Sequence, residues 1–346
     1  MSGTNDNNGQ MEYGGLDWFR MAAAILIIAI HTSPLAGINE TADFILTRVI
    51  ARAAVPFFFM VTGFFVLKGG TGSRFRKTGV FLKKTGLLYL GATLLYIPVL
   101  IYNGYFKDGS LVGKLLRDLI FEGMFYHLWY LPAVLTGTVI LLLLLRFFRE
   151  RTVLIITAVL YVIGLFGDNY YGLIANVPGV NSVYSVIFTI FGYTRNGLFF
   201  APLFLLLGRM AARRKERMPV RIWAPGLGIS SALMLTEGLL IHFFGNARHD
   251  SMYVFLPAVM FFLFEGLLAV RGRGQRAFRK ISMLVYILHP MCLILVRGAA
   301  KVLRLQKLFV DNSLILFLCT VVLSVGMSSA LYWLYGWVSR KRLGEV

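Results

Sequence analysis

Long apolar stretches separated by short basic loops dominate this chain of 346 residues. Many of these stretches approach the roughly 20 residues that a helix needs to cross a bilayer. The pattern predicts an all-α, polytopic integral membrane protein with about ten transmembrane helices. The predicted spans are 16–36, 44–67, 80–102, 127–147, 152–167, 196–210, 222–244, 252–270, 281–299 and 313–338.

The two ends and one internal segment differ from this pattern. Residues 1–15 are polar and rich in Gly and Asn, which predicts a disordered lead-in. The membrane domain is expected to occupy 16–340, followed by a cytoplasmic tail at 341–346. Residues 183–194 are apolar but too short for a span, and they predict an interfacial or re-entrant helix.

Basic residues predict the orientation of the spans. Most of the 35 Lys and Arg residues fall in alternate connecting segments, and cytoplasmic loops hold such an excess. This pattern places both termini in the cytoplasm. The connection after the ninth span is an exception, because it carries Arg297, Lys301, Arg304 and Lys307 on the predicted outer side.

Composition supports the membrane class and excludes several others. Hydrophobic residues make up 58% of the chain and charged residues 15%, which leaves no soluble domain of any size. The net charge of +19 lies in short loops beside apolar spans, so we predict no nucleic-acid partner. Cys292 and Cys319 lie in apolar segments, where we expect them to pack. The five histidines lack the spacing of a ligand set, so we predict no metal.

Two ionisable residues lie within the first apolar stretch, where such side chains are functional candidates. Arg20 and His31 are eleven positions apart, so in a helix they project from nearly the same face, about 16 Å apart along the axis. An imidazole can act as a base or a nucleophile, and a guanidinium can bind phosphate or stabilise developing negative charge. The alternative is that Arg20 snorkels to the headgroups and His31 is satisfied within the bundle.

Four segments in order resemble the acyltransferase-3 family of membrane proteins. FRMAAAILIIAIH fits the Arg-x10-His signature of that family, and VPFFFMVTGFFVL, HLWYLPAVL and SMLVYILHPM are similar to its second, fourth and ninth spans. The segments IHTSPL and RVIARAAVPFFFMVTGFF also resemble the membrane domain of the membrane-bound serine racemases of vancomycin resistance, a branch of this family. Those proteins continue into a cytoplasmic pyridoxal-phosphate domain, which we expect this chain to lack.

The resemblance implies an integral-membrane O-acyltransferase of the bacterial cytoplasmic membrane. Such an enzyme moves an acyl group, usually acetyl, from the co-substrate acyl-coenzyme A to a hydroxyl of a cell-envelope glycan or a small-molecule acceptor. His31 and Arg20 are the implied catalytic residues. Membrane lipids are the implied surroundings. The alternative reading is the membrane domain of a serine racemase system, which binds or imports L-serine.

The acyl-donor segment departs from the family pattern. Where the family carries an Arg-x-x-Arg element, this chain has Lys83 and Lys84. Lysine can neutralise a phosphate as a point charge, although without the bidentate geometry of arginine. Both lysines are therefore candidates for donor binding, and a purely topological role in a positive-inside loop is the alternative.

Three arginines on the predicted outer side are candidates for binding an anionic substrate. Arg48 and Arg52 are four positions apart and would share a helical face at the start of the second span. Arg195 precedes the sixth span and could bind a carboxylate or a phosphate. Each of the three could instead anchor its helix at the headgroups.

Four further polar or aromatic residues complete the candidate binding set. His127 and Trp129 begin the fourth span, where aromatic residues also form the interface belt. His289 lies within the ninth span and needs a polar partner there, so a structural role is the alternative. Glu237 lies within the seventh span and is, with Glu265, the predicted acid partner for His31 or Arg195.

Overall fold

The computed structural model describes residues 13–69, 71–107, 111–245, 247–270, 272 and 274–342. Every regular element in this part of the chain is helical, which confirms the predicted all-α class. The α-helices are α1 (Gly14–Thr32), α2 (Glu40–Phe44), α3 (Ala54–Val66), α4 (Thr71–Tyr102), α5 (Leu111–Arg117), α6 (Tyr130–Phe147), α7 (Glu150–Phe166), α8 (Tyr171–Ile174), α9 (Pro178–Phe191), α10 (Ala201–Arg213), α11 (Val220–Phe244), α12 (Leu256–Ala269), α13 (Arg276–Val302), α14 (Gln306–Phe309) and α15 (Ser313–Arg342).

Within the described residues, seven helical segments are long and apolar enough to cross a membrane. They are Gly14–Thr32, Glu40–Val66, Arg76–Tyr102, Tyr130–Phe147, Val220–Phe244, Arg276–Val302 and Ser313–Ser339. Each coincides with a predicted span. The other three predicted spans fall on α7, α10 and α12, which have 17, 13 and 14 residues. The count of ten therefore stays a prediction.

The segments outside the predicted spans are placed as follows. The predicted interfacial helix at 183–194 corresponds to α9. The last two residues of the predicted lead-in, Gly14 and Gly15, are helical and belong to α1. Residues 1–12 and 343–346 lie outside the described part of the chain.

Both described chain ends lie at the same end of the helix bundle. Arg279 Nη2 lies 2.9 Å from Asp17 Oδ2, so α1 and α13 begin together. Lys280 lies 5.8 Å from the ring of Tyr335, near the last turns of α15. We call this the Asp17 end, and we call the opposite end, reached by the last turn of α1, the His31 end. The cytoplasmic position of the Asp17 end stays a prediction.

Glycines allow α3 and α10 to pack in direct backbone contact. A Cβ atom at Gly63 would lie 1.9 Å from the carbonyl oxygen of Leu205, and one at Gly208 would lie 2.0 Å from that of Met60. Helices in membranes associate through such small residues, because lipid provides little hydrophobic force to drive them together. Most of α10 is buried by this packing.

The helix that leads into α3 is irregular. A π-helical turn at Ile45–Val49 and a 3-10 turn at Ile50–Ala53 connect α2 to α3. Pro56 has no N–H group, so the carbonyl of Arg52 cannot receive the usual i−4 hydrogen bond. The hydroxyl of Tyr253 donates to the Arg48 carbonyl at 2.7 Å and supports the wide turn. Such irregular turns frequently occur at functional sites.

Candidate active site

Three histidines from distant parts of the chain meet between α1, α6 and α13. His31 lies in the last turn of α1, His127 just before α6, and His289 within α13. The rings of His31 and His289 are stacked with centroids 5.2 Å apart, and His127 meets His289 edge-on, also at 5.2 Å. The fold thus brings together three of the residues predicted for the site.

The hydrogen bonds of His289 fix its ring and leave one nitrogen available. Its Nδ1 lies 2.8 Å from the carbonyl oxygen of Tyr286, so Nδ1 donates and Nε2 carries the lone pair. Nε2 of His289 and both ring nitrogens of His127 are buried and have no hydrogen-bond partner within the described residues. The Tyr286 hydroxyl donates to the His127 carbonyl at 2.6 Å and so holds the His127 loop in place. The cluster therefore offers unpaired ring nitrogens to a bound molecule.

Arg20 is held in an ion cluster at the Asp17 end. The Asp17 carboxylate is 1% exposed and accepts hydrogen bonds from Arg20 and, in a bidentate pair at 2.9 Å, from Arg279. The pairing of Asp17 with Arg279 thereby links α1 to α13. The sequence prediction did not include Asp17 or Arg279 in the site. Asp17 and Arg20 are three residues apart, a spacing that favours pairing on a helix. No feature of the sequence near Asp17 indicates its contact with Arg279.

An apolar cavity of about 160 Å³ extends from Arg20 and Arg279 of this ion cluster to Tyr286. Tyr286 lines the cavity and packs against the His127 ring with centroids 5.7 Å apart. Helix α4 contributes Phe81 and Thr85 to the lining of this cavity. Lys83 and Lys84 lie on the same helix but are exposed and do not line the cavity. Its lining includes Arg20, Phe81, Thr85, Tyr130, Met283 and Tyr286, and we call it the inner cavity.

A polar cleft of about 550 Å³ opens on the other side of the histidines. The ring of Tyr126, which lines the cleft, packs edge-on against His31 with centroids 4.9 Å apart. Burial raises the pKa of Glu122 to about 7, so this carboxyl group titrates near neutral pH. The lining includes Arg117, Asp118, Glu122, Tyr126, Arg195 and Arg248, and we call it the outer cleft.

Arg195 faces the outer cleft from a loop. Its guanidinium lies 5.0 Å from the centroid of the Trp129 ring and 4.9 Å from that of Tyr193. These cation–π contacts orient the charge without neutralising it. The predicted span 196–210 begins as a helix only at Ala201, so Arg195 does not anchor a helix end. Its position favours the predicted binding role, and it places Trp129 in the site as a support for Arg195.

The structure separates Arg48 and Arg52, which the sequence placed on one helical face. Arg48 lies in the π-helical turn and Arg52 in the 3-10 turn that follows it. The backbone between the two residues is therefore not a regular α-helix, and their side chains do not share one face. Arg48 has a side chain that is 40% exposed, with Nε 3.9 Å from Asp250 Oδ2. Arg52 is only 8% exposed, and its Nε and Nη2 atoms are buried without a hydrogen-bond partner in the described chain.

The predicted role of Glu237 requires a correction. Its carboxylate accepts hydrogen bonds from the backbone N–H groups of Val254 at 2.7 Å and Phe255 at 3.2 Å, and from the hydroxyl of Tyr170 at 2.8 Å. Val254 and Phe255 are the two residues that lead into α12, so Glu237 holds the segment before the helix in place. Its oxygens therefore bind the segment before α12 and Tyr170 rather than His31 or Arg195.

The second predicted acid partner, Glu265, is also engaged elsewhere. Its side chain is fully buried, and Arg214 Nε lies 3.7 Å from its Oε1 atom. Arg214 follows directly after α10 at the Asp17 end, so this pair lies at the opposite end of the bundle from His31. Neither predicted carboxylate partner of His31 lies beside it.

Asp168 and His249 form a polar group at the His31 end that the sequence did not predict. Asp168 Oδ1 accepts from the N–H groups of Ser251 at 2.6 Å and Met252 at 3.0 Å, and burial raises the pKa of Asp168 to about 7. Burial and the charges of Arg195, Arg52, Arg48 and Arg248 hold the pKa of His249 well below its usual value. Asp168 and His249 lie in loops, where the separation of residues along the sequence does not indicate which side chains are in contact.

This group does not form a Ser-His-Asp catalytic triad. Asp168 Oδ2 lies 3.8 Å from His249 Nδ1, and Ser251 Oγ lies 2.7 Å from the same nitrogen. A triad needs the acid and the nucleophile on different imidazole nitrogens. Nor do any three His, Cys, Asp or Glu side chains in the described ranges lie where they could share a metal ion.

Comparison with known proteins gives one family and several long relatives. A sequence model of the family described as "Acyltransferase domain" matches residues 13–333. Two proteins of Enterococcus faecalis named amino-acid racemase are 42% identical over 320 residues and 37% identical over 317. Each match covers 90% of this chain, but only 44% and 45% of the respective relative.

A third relative adds a more specific name. A serine/alanine racemase of Enterococcus gallinarum is 37% identical over 324 residues, which cover 91% of this chain and 45% of that protein. The chain thus spans less than half the length of the curated relatives it matches. No solved structure gives a significant match. These findings confirm the resemblance noted in the sequence.

Proposed function

Because the chain belongs to the acyltransferase-3 family, we propose that it is an integral-membrane O-acyltransferase that uses His31 as its catalytic base. The proposed donor is acyl-coenzyme A, and the proposed acceptor is a hydroxyl of a cell-envelope glycan or a similar molecule. The observation that carries the proposal is the position of the histidine cluster. It lies between the inner cavity, which leads to the Asp17 end, and the outer cleft at the His31 end.

The inner cavity suits the acyl end of the donor. A volume of about 160 Å³ accommodates a short acyl group and the thioester, while the nucleotide of coenzyme A must stay outside. The side chain of Arg279 is 43% exposed at the cavity, and Lys83 and Lys84 are exposed on the helix that lines it. These cations would neutralise the coenzyme phosphates.

In the proposed reaction, His31 takes one proton from the acceptor and then gives it to the leaving group. As the acceptor oxygen bonds to the thioester carbonyl carbon, the acceptor hydroxyl gives its proton to the imidazole of His31. The carbon–sulfur bond then breaks, and the leaving thiolate takes that proton, which returns His31 to its neutral form. The stacked ring of His289 keeps the His31 ring in place.

Arg20 has a different role in this scheme. It lies about 16 Å from His31 along an unbroken helix and is paired with Asp17. That distance is too long for contact with the reacting carbonyl. Arg20 therefore positions the donor at the inner end of the cavity, together with Arg279.

The experiment is an assay of thiol release. The purified full chain is reconstituted in liposomes with acetyl-coenzyme A and a glycan-containing envelope fraction, and free coenzyme thiol is measured. The proposal predicts thiol release that requires both the protein and the envelope fraction. A folded protein that releases no thiol above liposomes without protein would contradict it.

A second candidate function is the binding or import of L-serine. The relatives named amino-acid racemase and serine/alanine racemase support it, as does the mixture of arginines and carboxylates at the His31 end, which suits a zwitterion. Under this function, L-serine raises the melting temperature of the purified protein and acetyl-coenzyme A does not. The reverse result would reject this second function.

A further inference from the structure

Arg52 is a buried cation, and two of its three guanidinium nitrogens lack a hydrogen-bond partner in the described chain. Its side chain is only 8% exposed, and neither Nε nor Nη2 has a hydrogen-bond partner among the residues that the structure describes. Burying a charge is costly unless it is paired and hydrogen-bonded. A buried guanidinium with unpaired N–H groups is therefore expected to bind a negatively charged group.

The nearby carboxylates do not supply that negative charge. Asp250 lies 3.9 Å from Arg48 Nε, and Asp168 Oδ1 is occupied by two backbone N–H groups. Arg48 and Arg195 repel the charge of Arg52, and each acts on it more strongly than the attraction of Asp250 does. The charged side chains that act most strongly on Arg52 are therefore positive.

Other buried atoms around Tyr253 also lack partners. The hydroxyl of Tyr253 lies beside the Asn169 side chain, and the charges of Arg52 and Asp168 act on it. Asp168 Oδ2 and both amide atoms of Asn169 are buried without a hydrogen bond in the described ranges. Unpaired donors and acceptors thus lie together at the His31 end, which is unusual for buried polar groups and indicates a polar binding site.

We propose that Arg52 is the anchor of an oxyanion-binding site, which receives a carboxylate or a phosphate group through the Nε and Nη2 atoms. These two atoms form one edge of the guanidinium and can donate in parallel to two oxygens of one anion. The role of this anion as part of the acceptor rests on the proposed acyl transfer. Anion binding itself does not depend on that proposal.

The irregular helix explains why Arg52 can serve in this way and Arg48 cannot. The 3-10 turn that precedes Pro56 carries the Arg52 side chain into the bundle, whereas Arg48, in the preceding π-helical turn, reaches Asp250. The two arginines therefore provide a matched pair for experiment, since both add one positive charge to the same end of the protein.

Two sources of the oxyanion share this chemistry. An amino acid would place its carboxylate on Arg52 and its ammonium group near Asp168 Oδ2, which has no hydrogen bond. A phosphorylated acceptor would place phosphate on Arg52, with Arg195 in electrostatic range as a second cation. Inorganic phosphate and L-serine separate these sources, and ethanolamine, which has the amine and hydroxyl of serine but no carboxylate, tests the need for the anion.

The experiment measures the binding of these three probes by the full chain in nanodiscs of phosphatidylcholine. The wild type and the variants Arg52→Gln, Arg52→Lys and Arg48→Gln are compared by isothermal titration. We expect the wild type to bind phosphate or L-serine and not ethanolamine. Arg52→Gln should weaken that binding at least about tenfold, Arg52→Lys should weaken it less, and Arg48→Gln should change it less than about threefold.

Three results would overturn the proposal. The first is equal binding of the anion by the wild type and a folded Arg52→Gln variant, and the second is no binding of either anion by the wild type. The third is a structural role for Arg52, which thermal unfolding without ligand would reveal. Removing an unpaired buried charge should leave the melting temperature of Arg52→Met equal to or above that of the wild type, so a large fall contradicts the proposal.

The assay also separates this inference from the proposed acyl transfer. It contains no acyl donor and does not measure thiol release. Loss of anion binding in Arg52→Gln supports the oxyanion site even if no thiol is released. Thiol release that requires His31 supports acyl transfer even if Arg52 binds no anion.

Discussion

The imidazole rings of His31 and His289 are stacked, with their centroids 5.2 Å apart and their planes inclined by 24°. His31 lies in the last turn of α1, while His289 lies in α13 directly before Pro290. Since His289 is bound through Nδ1 to the Tyr286 carbonyl, its ring has a fixed orientation. The His31 ring packs against this fixed partner on one side and against Tyr126 of the outer cleft on the other.

The packing of α3 on α10 predicts that Gly63→Ala destabilises the protein. The added methyl group would lie 1.9 Å from the Leu205 carbonyl oxygen, so the helices must separate, at a cost of about 1–3 kcal/mol. Thermal unfolding in detergent measures the change. Gly91→Ala is the matched control, because a Cβ there meets no atom within 4 Å. Equal melting temperatures for Gly63→Ala and the wild type would contradict the packing described.

The ion cluster predicts different effects for its members. Asp17→Asn leaves Arg20, which is only 8% exposed, beside Arg279 without a counter-charge, and should destabilise the protein by about 3–5 kcal/mol. Arg279→Gln should cost less, because that side chain is 43% exposed and Asp17 keeps Arg20 as its partner. The comparison of melting temperatures tests this order. A larger fall for Arg279→Gln would show that Asp17 is not the centre of the cluster.

The sequence predicts the helices of this fold better than their contacts. Apolar stretches of about 20 residues are visible without a structure, so the seven long spans were located correctly. The sequence also predicts the positions of the three shorter helices, but it does not predict where each helix begins and ends. For example, α10 begins at Ala201, whereas the predicted span begins at 196. Polar loop residues such as Asn196, whose side chain accepts from the Leu198 N–H at 2.8 Å, do not interrupt the apolar pattern enough to be recognised.

The same limit applies to the candidate site. His31, His127 and His289 could each be selected as costly polar groups in or beside a span, but their contact depends on how three helices pack. The role of Glu237 could not be predicted, because hydropathy does not show that α12 begins at Leu256 or that the two residues before it donate to a carboxylate. The different surroundings of Arg48 and Arg52 depend on an irregular helix, whereas the prediction assumed a regular one.

Asp168 predicts a dependence of stability on pH. Burial raises its pKa from 3.8 to about 7, so the folded protein binds this proton more tightly than the unfolded chain. Its contribution to the free energy of unfolding is therefore largest below about pH 4 and is lost as the pH rises to about 7. Asp168→Asn keeps the amide oxygen as an acceptor for Ser251 and Met252 and should flatten this decline.

The measurement for Asp168 is thermal unfolding between pH 4 and 8. The difference between the wild type and Asp168→Asn isolates this group from Glu122, whose pKa burial also raises to about 7. Asp311→Asn, at an exposed position, is the control and should follow the wild type. If Asp168→Asn keeps the full decline, Asp168 is not the group responsible.

The structural role of Glu237 predicts a separation of stability from activity. Glu237→Ala removes the acceptors for the N–H groups of Val254 and Phe255, just before α12, and should destabilise the protein by about 1–2 kcal/mol. Glu237→Gln keeps one carbonyl oxygen and should lose less. Because Glu237 does not contact His31, folded Glu237→Gln protein should retain thiol release. Loss of thiol release at unchanged stability would restore Glu237 to the reacting groups.

The most direct measurement for the central claim is the transfer of labelled acetyl groups from acetyl-coenzyme A to the envelope fraction by His31→Ala liposomes. The control is His242→Ala. His242 is exposed on α11, and among the described residues its ring contacts only the rings of Phe44 and of its neighbour Phe243. Removing a general base costs about 10²–10⁴ in rate, so His31→Ala should transfer less than about 1% of the wild-type label while His242→Ala transfers it normally. Folded His31→Ala protein that transfers acetyl groups at the wild-type rate would contradict the assignment of His31 as the base.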